Sequence, residues 1–285
     1  MASTTRTRRQ AYAEDGFVVV PHALSRDDVD AAFEETARIC RGERGDVKGL
    51  EPAGSSAAGD PMARLLCVHF PHKISALFMD LLAWPSLVEA LVEVIGPDVK
   101  GMQSMLFIKA PGKPGQAWHQ DENYIPTRDR SLCGVWIALD DASIENGCLW
   151  VLPGSHRHGV IWPSRAHGTA DFDEGWESYG FPEPAGDARP VELEAGSAVL
   201  FNGYLLHRSL PNHTPDRYRR ALVNHYMSAE SLLPWDWDGR LAPSRDNRDI
   251  VMVAGADPYE YKGIESHTYP YLRNESAHPE EGLYL

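Results

Sequence analysis

Basic side chains are in deficit: 27 Lys and Arg stand against 41 Asp and Glu, a formal net charge of -14 in 285 residues. Phosphate recognition needs clustered positive charge, and the cations here are scattered, so no nucleic-acid partner is expected. Long apolar runs are also missing. No stretch approaches the roughly 20 residues of a membrane helix, so no membrane partner of that kind is expected. Cysteine is sparse, with Cys40, Cys67, Cys133 and Cys148 showing no CxxC spacing. That excludes a disulfide scaffold and suits a reducing, cytoplasmic compartment. The opening MASTTRTRR lacks the apolar core of a secretory signal, and Glu14-Asp15 departs from the acid-poor pattern of a transit peptide. Residues 1–13 are expected to form a frayed, disordered terminus.

What is present suits a globular protein with small-molecule partners. Apolar residues make up 43% of the chain, enough for a sizeable core. One domain spanning 1–285 accommodates the patterning. Asp15-Gly16 marks a turn before a strand at Phe17 to Val20. Ser25 and Asp28 form a capping-box pattern ahead of a helix that ends near Gly42. The Gly-, Pro- and Ser-rich segment from Gly42 to Pro61 is a loop. A second helical stretch runs from about Lys73 to Ile95, interrupted at Trp84-Pro85 and ended by Gly96. From Gly101 the period changes. MQSMLFIKA, LCGVWIALDDA, GCLWVLPGS, SAVLFNGYLLH and RALVNHYM are short β-branched or aromatic runs separated by turn signals, the pattern of antiparallel sheet. Glu145-Asn146-Gly147 is a tight-turn signal between two of them. The segment from Val160 to Pro190 has no sustained period and reads as a lid or binding loop. The tail, 228–285, is expected to wrap the body.

WHQDENY, residues 118–124, places His119 and Asp121 two positions apart, on one face if the segment is extended. Such a pair also arises by chance, as His278-Pro-Glu280 illustrates. His207, at the end of a buried-looking strand, adds a third candidate ligand. Two histidines and a carboxylate leave one face of an octahedral metal open, the arrangement of non-haem Fe(II) oxygenases, whereas structural zinc prefers a closed tetrahedral shell.

The order GVWIALDDASIENGCLWVLPGSHRHG, lying between WHQD and a strand ending LLHRS, resembles the phytanoyl-CoA dioxygenase family, and its domain-containing branch most of all. The resemblance spans about Glu14 to Met227. It implies a mainly β, double-stranded β-helix (a cupin-like jelly roll) with N-terminal helices packed outside. It also implies Fe(II), the cosubstrate 2-oxoglutarate and O2, with ascorbate helpful in vitro. Carried over residue by residue, His119, Asp121 and His207 would be the catalytic iron ligands. Arg219 would grip the distal carboxylate of 2-oxoglutarate, with Arg220 one register step away, and Ser209 would assist. Trp136, Met105 and Lys73 resemble other positions around the cosubstrate. The implied reaction yields succinate, carbon dioxide and an oxidant that takes hydrogen from a substrate C–H. A carboxylate at Asp121 fills the position that a small residue opens to chloride in related halogenases, which favours hydroxylation. Desaturation or cyclisation would begin with the same step.

Gln103, Gln120, Tyr124 and Asn202 lie on or beside the ligand-bearing segments and are candidate substrate contacts. His156, His158 and His225 are more simply structural. The expected activity is hydroxylation of an aliphatic C–H in a small molecule, such as a natural product or amino-acid derivative. An acyl-CoA is disfavoured because no basic cluster is evident. Two readings compete: a catalytically silent 2-oxoglutarate and metal binder, and a cupin-like hydrolase or isomerase, which would have no use for Arg219.

Overall fold

The computed structural model describes residues 6–50, 60–173, 175–182, 187–232 and 248–273. Helix α1, Arg8–Asp15, opens with a reciprocal capping box between Thr7 and Gln10. It buries Tyr12, and Arg8 bonds Glu93 of a later helix at 2.7 Å. The expectation of a frayed end over 1–13 is therefore corrected for residues 8–13, because a cap and a buried aromatic hold them; residues 1–5 lie outside the described residues. Strand β1 is Phe17–Val20, and α2, Arg26–Cys40, carries the expected Ser25–Asp28 capping box. After β2, Cys67–His69, the second helical stretch splits into α3, Ala76–Leu82, and α4, Pro85–Val94. Pro85 stands at the first position of α4, where its missing N–H costs nothing.

The remaining strands are β3, Val99–Lys109; β4, Gln116–His119; β5, Cys133–Ala138; β6, Leu149–Val151; β7, Ser164–Ala166; β8, Trp176–Ser178; and β9, Arg189–Val191. They continue with β10, Ala198–Asn202; β11, His207–Ser209; β12, Arg219–Ser228; β13, Val251–Ala254; and β14, Tyr271–Arg273. The larger sheet has the order β1-β10-β5-β12-β3-β2-β14, with β13 also on β3, and the smaller has β4-β11-β6-β9. Every pairing between these strands is antiparallel. The turn at Glu145-Asn146-Gly147 crosses from β5 in the larger sheet to β6 in the smaller, and Gly147 supplies the left-handed φ of 81°.

Strand alternation decides which residues reach the site. Val135, Ile137, Leu200, Leu222, Leu106 and Ile108 face outward and pack with α2, α3 and α4 in the major core. Trp136, Ala138, Val199, Phe201, Ala221 and Val223 face inward and join Leu149 and Val151 of the smaller sheet. Both faces of the larger sheet are thus buried, which is why its strands are continuous apolar runs. Each fully buried Leu or Ile contributes about 1.5–3 kcal/mol. The arrangement is the strand-rich jelly roll with helices outside. Residues 160–190 are not featureless: β7 and β8 form a hairpin there. Of the Gly42–Pro61 loop, 51–59 lie outside the described residues, as do 233–247 and 274–285 of the tail.

Candidate metal centre and its cavity

His119 ends β4 and is the direct cross-strand partner of His207 on β11, so register places the two rings together, with centroids 4.1 Å apart. Gln120 remains extended at φ -128° and ψ 126°, and Asp121 opens a 3-10 turn, which keeps the carboxylate on the side of the His119 ring. Asp121 Oδ1 lies 3.6 Å from His119 Nε2 and 3.5 Å from His207 Nε2. One ligand atom from each residue falls within 4.8 Å of the others, a spacing that one ion spans with roughly 2 Å bonds.

The surroundings hold each ligand in its binding form. His119 Nδ1 meets the Ala117 carbonyl at 2.7 Å, and His207 Nδ1 meets that of Leu205 at 2.9 Å. A ring nitrogen facing a carbonyl must carry the proton, leaving both Nε2 lone pairs directed at the centre. Burial, followed by His207, pushes His119 down to about 3, so it is neutral at physiological pH. Burial alone would raise the Asp121 carboxyl, but His207, His225 and His119 together hold it below the usual carboxylate range. Neutral imidazoles and an ionised carboxylate are what a metal requires. The donor set therefore fits Fe(II), as two nitrogens and one oxygen leave a face open toward the cavity.

That cavity, of about 150 Å³, is lined by all three ligands and by Met105, Trp136, Ser209 and Arg219. Arg219 is 3% exposed; its Nε donates to the Gly147 carbonyl at 3.1 Å, and its guanidinium lies 5.4 Å from the Trp136 ring. Burial lowers its pKa to about 10, which leaves it cationic. Arg220 points the other way, bonds Asp140, and packs on Phe33 and Tyr218. Alternation along β12 thus separates the two arginines, with Arg219 the one in the cavity.

Gln103 and Tyr124 line the cavity as expected, but three other residues do not. Gln120 is turned away because residues 119 and 121 face inward. Its amide donates to the Val160 and Tyr204 carbonyls and accepts from Trp162 N–H at 2.8 Å, pinning the start of the 160–190 segment. Asn202 follows the inward Phe201, so it faces outward and accepts from Tyr204 N–H at 2.9 Å. Lys73 is engaged by Asp249 and Ser266, away from the cavity. Gln120, Asn202 and Lys73 thus stand outside the lining of the cavity.

Other cavity residues carried no local sequence signal. His225 Nε2 meets Asp121 Oδ2 at 3.0 Å, which leaves Oδ1 for the metal. His69 stacks on Tyr271 at 4.3 Å, Lys109 bonds Ser209, and Asp173 pairs with Arg273 from the tail. Each contact joins distant segments, although alternation from Met105 would have placed Lys109 on the inward face. His156 bonds the Ala13 carbonyl at 3.1 Å and belongs to the α1 packing.

The phytanoyl-CoA dioxygenase family model matches residues 12–221. A phytanoyl-CoA dioxygenase of Arabidopsis thaliana is 30% identical over 235 residues, covering 81% of this chain and 75% of that one. Phytanoyl-CoA dioxygenase domain-containing protein 1 of Mus musculus is 35% identical, covering 59% of this chain and 60% of its own. Among solved structures, the fold resembles that of SnoK, a non-haem alpha-ketoglutarate-dependent carbocyclase from nogalamycin biosynthesis. Its TM-score is 0.64 at 22% identity, with 88% and 97% of the two chains covered. EvdO2 from Micromonospora carbonacea var. aurantiaca, solved with 2-oxoglutarate, has a TM-score of 0.59 at 26% identity, with 78% and 89% covered. The chain belongs to the phytanoyl-CoA dioxygenase family and is a 2-oxoglutarate-dependent non-haem iron dioxygenase.

Proposed function

We propose that the protein hydroxylates an aliphatic C–H bond of a hydroxyl-bearing small molecule, converting O2 and 2-oxoglutarate to the new hydroxyl, succinate and carbon dioxide. The observation that carries this reading is one cavity lined by His119, Asp121 and His207 together with Arg219 and Ser209. The ligands would hold Fe(II), which with 2-oxoglutarate and O2 supplies the oxidant. Arg219 offers a planar fork to the distal carboxylate, and the Ser209 hydroxyl lies beside it. His225 keeps Asp121 oriented toward the metal. Asp173, Gly175 and Trp176 bring the 160–190 segment onto the cavity, where it would exclude water.

The remaining lining of the cavity bears on the substrate class. Leu66, Phe107, Ile125 and Tyr271 give it apolar walls. Into these walls are set the polar side chains of His69, Gln103, Tyr124 and His225. An acyl chain would offer them no hydrogen bond, at about 1–3 kcal/mol for each polar group it left unsatisfied, whereas hydroxyl groups both donate and accept. This favours a compact oxygenated molecule, of the natural-product kind, over an acyl thioester. Buried, unpaired cysteines support a reducing, cytoplasmic setting.

The test is succinate release with Fe(II), ascorbate and pools of hydroxylated, fatty-acyl and amino-acid compounds. Stimulation by a hydroxylated pool, loss in His119→Ala, and a raised KM for 2-oxoglutarate in Arg219→Met but not Arg220→Met are expected. Product mass separates oxygen insertion from the loss of hydrogen in desaturation or cyclisation. If wild type binds metal and 2-oxoglutarate yet no pool stimulates succinate, the silent binder replaces this reading.

A further inference from the structure

Lys109 and Arg219 are direct cross-strand neighbours on β3 and β12, and both face the cavity. Such a pair has its Cβ atoms roughly 5 Å apart, and like charges there repel. Both are 3% exposed. Their partners are neutral: Lys109 Nζ donates to Ser209 Oγ at 3.0 Å and to the Leu210 carbonyl at 2.6 Å, and Arg219 Nε donates to the Gly147 carbonyl. Gly147 holds the two together, since a Cβ there would meet Lys109 Nζ at 3.1 Å. Neither cation has a carboxylate partner among the described residues. Two buried cations side by side without an anion make a costly arrangement that a bound anion would relieve.

We infer that Lys109 is a second anchor for the distal carboxylate of 2-oxoglutarate, and that its proton occupancy rises when that anion binds. The inference rests on the oxygenase reading above. In the empty cavity, burial and then Arg219 push the Lys109 ammonium well below its ordinary pKa, with Asp173 and Cys148 opposing. Those are the charged and titratable groups facing it: Arg219 from β12, Asp173 from the 160–190 segment, and Cys148 ahead of β6. The Cys148 thiol is itself pushed up to about 11 by burial, so it stays neutral, and Asp173 is engaged by Arg273. A carboxylate set against Nζ reverses the balance. The bound form is then favoured fully below the empty-cavity pKa of Lys109, and that advantage is lost as pH rises through the bound-state pKa. The proton moves from bulk water to Nζ; no bond of the cosubstrate changes.

Calorimetric titration of the anaerobic Fe(II)-loaded protein with 2-oxoglutarate, at mildly alkaline pH and in two buffers of different ionisation heat, counts protons directly. Wild type is expected to show net proton uptake on binding 2-oxoglutarate. Lys109→Met should bind about 10- to 100-fold more weakly and take up none. Lys109→Arg, always charged, should bind more tightly than Lys109→Met and also take up none. A merely structural lysine would change affinity without changing the proton count. Unchanged uptake in Lys109→Met, or wild-type affinity in it, overturns the inference while leaving the oxygenase reading intact. No binding to wild type overturns both.

Discussion

Replacing Gly134 by Ala tests whether backbone packing in the larger sheet positions the metal ligands. Gly134 on β5 is paired with Phe201 on β10, and a Cβ on it would lie 2.3 Å from the Phe201 ring tip and 2.7 and 2.8 Å from the next atoms. Ordinary carbon contacts are about 3.5–4.0 Å, so the ring would have to move by more than an ångström. It has little room: Phe201 is 1% exposed and its ring lies 4.7 Å from that of His207. Overpacking of this kind costs about 1–3 kcal/mol. At roughly 2–4 °C per kcal/mol for a chain of this size, Tm should fall by about 2–12 °C. Because the ring presses toward a ligand, affinity for Fe(II) or a Mn(II) substitute should fall as well. Phe201→Leu removes the obstructing ring and by itself should cost about 1 kcal/mol. The double variant should then be more stable than the sum of the two losses predicts, by on the order of 1 kcal/mol. Circular-dichroism melts of the metal-free proteins and metal titrations measure each corner of the cycle. Additive energies, or a Gly134→Ala protein that melts and binds metal as wild type does, would refute the reasoning.

Burial pushes the Glu122 carboxyl up to about 7, against hydrogen bonds from Thr127, so its folded-state pKa exceeds the ordinary value of 4.5. Its contribution to stability is therefore fully present below pH 4.5 and lost as pH rises through about 7. Glu122→Gln should gain on wild type across that window, by at most roughly 3 kcal/mol, and a Tm difference that stays flat with pH would exclude this. Gln120→Leu strips partners from the Val160 and Tyr204 carbonyls and from Trp162 N–H. It should destabilise by about 2–4 kcal/mol and speed proteolysis within 160–190; an unchanged cleavage rate there would show that Gln120 does not anchor the segment.

Much of this was legible in the one-dimensional pattern. The capping box at Ser25 and Asp28 and the break at Trp84-Pro85 are local, since a cap or a proline acts within one turn of chain. Apolar runs located β3, β5, β10 and β12 because their side chains must be buried on both faces. The Thr7 cap of α1 is an equally local signal, set in a basic, hydroxyl-rich terminus.

Which way a side chain turns was a different matter. Alternation says that residues 119 and 121 share a face and that 120 does not, but not that the face of 119 is the cavity and that of 120 the anchor of a distant loop. It likewise separates Arg219 from Arg220 without saying which is inside; the outer helices decided that by covering Arg220's side of the sheet. Lys73 resembles a cosubstrate position of the family, yet its partner is Asp249, 176 positions away. Lys109 opposite Arg219, and His225 against Asp121, depend on strand register and sheet closure, which bring together residues that the chain keeps far apart. Sequence by itself determined the candidate ligand types, the apolar runs of the larger sheet and the family. Tertiary structure decided the company each keeps, because burial and charge pairing are properties of neighbours in space.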